Sequence, residues 1–207
     1  RLDHFRGFAA AWHIPAGEET ALKGKWVPGP GKKLFDALKS QLGSLPLIAE
    51  DLGLITDDVH ELRTGVGLPG MRVLQFALAG PESPHWPHNY DRLTACYTGT
   101  HDNDTAAGWY WKLDDGQKWS FGEYVARRVE SPAWELIRMA WGSVAMLAVC
   151  PMQDVMELGS EARMNVPGVA VGNWKWRFRW DQVPHGALDR LGHLTALYNR
   201  VPKADAE

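Results

Sequence analysis

Ile48-Ala49-Glu50-Asp51-Leu52-Gly53 closes an apolar run that begins at Leu45, and it decides the fold: a short buried strand ends on two acids and a glycine. The same design recurs on either side. Upstream, Arg1-Leu2-Asp3-His4-Phe5-Arg6-Gly7-Phe8 puts an acid at the end of what reads as an earlier strand, Arg1 to His4. Downstream, Gly99-Thr100-His101-Asp102-Asn103-Asp104-Thr105 follows the apolar run Leu93 to Thr98. Acids repeated at the carboxyl ends of separate short strands are what a parallel α/β barrel gathers at one face.

Working outward, two more runs read as strands: Met71 to Phe76 after the Pro69-Gly70 turn, and Val144 to Cys150 before Pro151. Helical patterns lie between the strands, the alternation of βα units. Lys32 to Leu42 carries an apolar stripe at Leu34, Phe35, Leu38 and Leu42 and is closed by Gly43 as a C-cap. Thr56 predicts an N-cap, with Asp57 and Asp58 in the first turn of a helix through Glu61 and Leu62. Ser131-Pro132 opens a helix through Trp134, Ile137 and Met139 toward Trp141, and Leu188 to Tyr198 makes a last one. Gly172 to Trp180 alternates aromatic and basic residues and reads as an edge strand or a loop.

The chain has 207 residues, ordinary globular composition and a formal charge of −3 without basic blocks, which excludes the footprint of a nucleic-acid binder. A neutral substrate fits better, and no apolar run approaches a membrane span. Cys96 and Cys150 sit in apolar stretches without metal-site spacing, which favours a reducing cytoplasm. Eleven tryptophans are compatible with stacking on sugar rings, although most tryptophans are packing residues.

Taken together and in this order, the three acidic segments resemble the amylomaltases, the 4-α-glucanotransferases related to α-amylases. Pro15-Ala16-Gly17-Glu18-Glu19-Thr20, Trp26-Val27-Pro28, Leu68 to Phe76, Pro87-His88-Asn89-Tyr90, Glu161-Ala162-Arg163-Met164-Asn165 and Gly172-Asn173-Trp174 carry the same likeness. The resemblance implies a (β/α)8 TIM barrel, with residues 1 to 207 as its C-terminal half, from the end of strand 4 to strand 8 and the closing helix, and with the N-terminal half absent. It also implies transfer of an α-1,4-glucan segment to the 4-hydroxyl of a glucose or maltodextrin acceptor, with no cofactor, metal, nucleic acid or membrane, in a bacterial cytoplasm or a plastid.

By that resemblance Asp3 is the nucleophile, Glu50 the acid/base and Asp102 the stabiliser of the transition state. Arg1, His101 and Asn165 bind substrate, and Trp26 either binds it on the acceptor side or packs its loop. The residues support this in part: Arg1 and Asp3, two apart, share one strand face, where the guanidinium orients the carboxylate. A retaining glycosidase needs two such carboxyl groups about 5 to 5.5 Å apart. For any one acid, a helix N-cap is the commoner use, and only the joint occurrence outweighs it. An α-amylase-like hydrolase and a noncatalytic carbohydrate-binding module are the rivals. Zinc at His4, His85, His88 and His101 lacks the ligand spacing, and Gly29-Pro30-Gly31-Lys32-Lys33 lacks the Ser or Thr of a phosphate loop.

Overall fold

In the computed structural model, which describes residues 1–202, the apolar runs take up the expected strand positions, most of them shorter than read. The chain forms two units, Arg1–Met71 with Leu93–Ala95, and Arg72–Arg92 with the chain from Cys96 onward.

In the first unit the two strands that carry the leading acids are reduced to one parallel bridge, Leu2 to Ala49. Leu2 N–H donates to Ile48 C=O at 2.8 Å and Glu50 N–H to Leu2 C=O at 2.9 Å. After Asp3 the bridge ends, because the chain turns through His4 at φ 47° into the short helix α1, Arg6–Ala9. A hairpin not expected from sequence follows, β1 (Ala10–His13) against β2 (Lys25–Pro28), antiparallel with Trp12 opposite Trp26. Helix α2 (Gly31–Leu42) ends at Gly43, φ 76°, as its pattern required, although Leu42 is exposed. It packs Phe35 against Phe5, Ala49, Val59 and Leu68.

Helix α3 (Asp57–Gly65) starts at Thr56, but the threonine makes no capping bond. Its hydroxyl donates instead to Asp58 at 2.5 Å, a local bond that competes with the cap and holds the Asp58 carboxyl below its usual range. The buried side of α3 brings Arg63 to Asp51, with Nε to Oδ2 at 3.2 Å and both side chains almost fully buried. Met71 N–H donates to Asp51 Oδ1 at 2.6 Å, and Arg63 Nη1 to Leu68 C=O at 3.0 Å. A Cβ on Gly70 would stand 2.4 Å from Asp51 Oδ2, so only glycine lets the backbone pass there.

Strands β3 (Gly70–Val73), β4 (Thr94–Tyr97) and β5 (Leu147–Val149) form one sheet in that order. Sequential neighbours joined by long crossovers are the signature of a parallel sheet. The strand expected to reach Phe76 stops at Val73, because Leu74–Ala79 is a 3-10 turn that buries Leu74, Gln75 and Ala77 and leaves Phe76 out. β5 is shorter than the Val144 to Cys150 run, and its Leu147 and Val149 are exposed.

The second unit packs around α6 (Pro132–Gly142), whose Trp134, Leu136, Ile137, Ala140 and Trp141 are buried with Cys96, Tyr110, Phe121 and Leu194. Two helices missed in the sequence, α4 (Ala106–Trp111) and α5 (Asp115–Val125), carry clear caps. Thr105 accepts Gly108 N–H at 3.0 Å, and Asp114 and Gln117 form a reciprocal capping box. Glycines at 108, 116 and 122 had masked the helical pattern. After the short α7 (Met152–Val155), residues 172–180 form no strand, which leaves the loop reading, and α8 (Ala187–Leu197) closes the unit as expected.

These cores make stability testable at two buried positions. Arg63→Met takes the guanidinium from a buried carboxylate and should cost about 3–5 kcal/mol in denaturant unfolding of the intact protein. His85 accepts Val73 N–H on Nδ1 at 3.1 Å, and burial, then the Arg72 charge, hold its pKa down from 6.5 to about 4. The unfolded chain therefore takes up the proton first as pH falls. The contribution is complete above pH 6.5 and lost on descending through pH 4. His85→Gln should flatten Tm against pH across that window.

Candidate active site

The end of the Leu2–Ala49 bridge presents two acids with different supports. Asp3 is 78% exposed and is held by Arg1, Nη1 to Oδ1 2.9 Å, which fulfils the shared-face expectation. Glu50 is half-buried. One of its oxygens accepts His4 N–H at 2.6 Å and the other accepts Leu52 N–H at 2.9 Å, while its carbonyl accepts Phe5 N–H at 2.9 Å. The turn at His4 therefore wraps the segment bearing Asp3 around Glu50. Each carboxyl oxygen of Glu50 still has lone-pair capacity after one backbone bond.

Arg6, three residues beyond Asp3, was not singled out from the sequence. Its Nη1 donates to Leu54 C=O at 2.6 Å, and its guanidinium lies over the Trp26 ring at 4.5 Å from the centroid. Trp26, expected in a loop, instead sits in β2, 52% exposed and edge-on to Trp12 at 5.5 Å. The Trp-Val-Pro segment is thus part of a hairpin, and a cation fixes one face of its indole.

In the second unit the loop after β4 carries His101, Asp102, Asn103 and Asp104. Asp102 is half-exposed, with His101 Nε2 at 3.4 Å from Oδ2. Asn165 Nδ2 donates to Asp102 Oδ1 at 2.5 Å, and Asn165 N–H donates to His101 C=O at 3.1 Å. Arg163 ties the two segments, donating to Asp102 C=O at 2.6 Å and to Asn165 C=O at 2.8 Å. His101, Asp102 and Asn165, 63 residues apart at the extremes of their hydrogen bond, therefore form one cluster.

Asp104, two residues on, faces inward. It accepts Lys112 Nζ at 2.5 Å, Ser160 Oγ at 2.7 Å and Thr105 N–H at 2.9 Å. Burial would raise its pKa, but the Lys112 and Ser160 bonds outweigh it and leave the carboxyl below its usual range. Asp154, also buried, goes the other way: desolvation raises it despite bonds from Thr98 Oγ1 at 2.6 Å and Ala106 N–H at 2.8 Å. Both acids, with Thr100, His101, Arg163 and Met164, line a cavity of about 140 Å³. Sequence reading missed Lys112 and Asp154, because their partners lie on other elements. Among the described residues no three His, Cys, Asp or Glu side chains converge as a metal would require.

A family model described as 4-alpha-glucanotransferase matches residues 1–182. The chain belongs to the 4-alpha-glucanotransferase family. It is 47% identical over 207 residues to the chloroplastic/amyloplastic 4-alpha-glucanotransferase of Arabidopsis thaliana, covering 97% of this chain and 36% of that protein. With the Thermus thermophilus 4-alpha-glucanotransferase the identity is 51% over 186 residues, covering 86% of this chain and 37% of the relative. The structure aligns with an amylomaltase from Streptococcus agalactiae in complex with acarbose at a TM-score of 0.89 and 37% identity, over 97% of this chain and 41% of that one. The α/β fold is thus that of part of a (β/α)8-barrel amylomaltase. The chain spans about two fifths of the length of the curated relatives it matches.

Gly108 lets α4 approach this cluster: a Cβ there would lie 2.4 Å from Ser160 Oγ and 2.8 Å from Asp104 Oδ1. Gly108→Ala should lower stability by about 1–3 kcal/mol through forced displacement. Gly192→Ala, in α8 with nothing within 4 Å of the added carbon, should be neutral or gain about 0.5–1 kcal/mol. Thermal melts of the two variants beside the parent check both.

Proposed function

We propose that the protein is a retaining 4-α-glucanotransferase that moves a segment of an α-1,4-glucan to the 4-hydroxyl of glucose or a maltodextrin. The observation that carries this is the retention of Asp3, Glu50 and Asp102, each in its family motif and each with a supporting partner, in a chain of this family.

Asp3, exposed and oriented by Arg1, attacks the anomeric carbon and forms a glycosyl ester, while Glu50 gives its proton to the departing glycosidic oxygen. The released glucan leaves with a free 4-hydroxyl. In the second half Glu50, now a carboxylate, takes the proton from the 4-hydroxyl of the acceptor as that oxygen displaces Asp3, which restores the free carboxylate. Asp102, clamped by Asn165 and flanked by His101, stabilises the positive charge that develops at the sugar ring. Asn165 and His101 themselves offer donors to sugar hydroxyls, and Trp26 an aromatic face to the acceptor glucan. The chemistry needs no cofactor. A bacterial cytoplasm or a plastid, where maltodextrins are handled, suits relatives from bacteria and chloroplasts.

Maltotriose given to the intact protein should yield glucose and longer maltodextrins with little gain in reducing ends; a large gain would make it a hydrolase. Asp3→Asn should lower the rate on the order of 10³-fold or more, since an amide cannot form the ester. Glu50→Gln should fail with maltotriose yet release fluoride from α-glucosyl fluoride, whose leaving group needs no proton. Equal loss with both donors would remove Glu50 from the acid role.

A further inference from the structure

Trp174 is the residue whose conformation the packing of the fold does not explain. Its φ is +63°, a left-handed backbone rarely adopted by a bulky side chain. The residue is 54% exposed and belongs to neither hydrophobic core. A strained backbone that delivers an apolar ring to solvent gains nothing from burial, and such positions cluster at ligand sites.

The surrounding loop holds the strain in place. Asn173 Oδ1 accepts Val166 N–H at 2.9 Å, and its Nδ2 donates to Val169 C=O at 2.8 Å. Trp174 N–H donates to Met164 C=O at 2.8 Å, and its carbonyl accepts Arg177 Nη1 at 3.1 Å. Fixed on both sides, the indole meets the His101 ring at 5.2 Å between centroids, tilted by 37°. His101 is the residue beside Asp102, and Met164 lies between Arg163 and Asn165, which clamp that acid. The other strongly exposed tryptophans, Trp111, Trp119 and Trp180, show no such link to the acidic loop.

We propose that Trp174 is a sugar platform, its indole face stacking on the C–H face of a pyranose ring of the glucan held beside His101 and Asp102. Trp174 does not touch the reacting bond. It binds ground state and transition state alike, so its loss raises KM and leaves kcat nearly intact. Trp suits the task because it offers a large rigid face with only two side-chain torsions to order. This rests on the glucanotransferase reading above.

The test uses the intact protein, maltotriose as substrate, and Trp174→Gly and Trp174→Phe. Glycine favours φ +63° and removes the ring, so Trp174→Gly should melt no lower than the parent. Its KM should rise about tenfold, the scale of one lost stacking contact, with kcat within about threefold. Trp174→Phe keeps a smaller face and should stay within about threefold of the parent KM. A Trp174→Gly variant with parental KM overturns the proposal, as does a fall in Tm with a parallel loss of kcat, the mark of a purely structural role. If the parent does not disproportionate maltotriose, the glucanotransferase reading falls and the platform with it; with an active parent, the KM of each variant bears on Trp174 alone.

Discussion

The buried Asp51–Arg63 pair is the constraint on which the first unit depends. Two opposite charges removed from water hold together only if each also finds fixed polar partners, and here the backbone supplies them at Met71 and Leu68. One carboxylate thereby joins the strand end after Ala49, the start of β3 and helix α3. Glu50 is the next residue to Asp51, so the geometry that satisfies the buried charge also sets the direction of the neighbouring acid. Glycine at position 70 is part of the same constraint, since any side chain there would occupy the carboxylate's space.

A common pattern runs through both acidic segments. Each pairs an inward acid with an outward one: Asp51 with Glu50, and Asp104 with Asp102. Successive residues at a strand end alternate sides, which divides Glu50 from Asp51, whereas Asp102 and Asp104, two apart, are divided by the turn that follows β4. The inward member takes the bonds that fix the loop. The outward member keeps capacity for a ligand, and its own partners, the His4 and Leu52 N–H groups for Glu50 and Asn165 for Asp102, orient it without fully burying it. On the proposed function, rigid support under an accessible carboxylate is what the reaction would demand, because an attacking atom tolerates little misplacement.

Aromatic residues divide in a similar way. Trp134 and Trp141 fill the core beside α6, where their area contributes most to stability, while Trp26, with Arg6 over its ring and Trp12 against it, and Trp174, beside His101, stay about half exposed. The same residue type thus packs in one place and stays accessible in another.

Much was already determined by the sequence. Periodicity and punctuation placed α2, α3, α6 and α8 to within a few residues, because apolar stripes, Pro at a first turn and Gly at a C-cap act locally. The motifs marked the acidic segments, and the Arg1–Asp3 spacing alone implied their ion pair. Other features were decided only by the tertiary structure. The hairpin that holds Trp26 depends on pairing across a loop with no strong turn signal. The Asn165 clamp on Asp102 spans 63 residues, the Thr98–Asp154 bond spans 56, and the Arg6–Trp26 contact depends on how a hairpin folds back. Glycines inside α4 and α5 lowered the local helical preference that packing around Phe121 and Tyr110 then overrode. Local preference is written residue by residue along the chain, whereas hydrogen bonds and ion pairs between distant segments exist only once the core has brought those segments together.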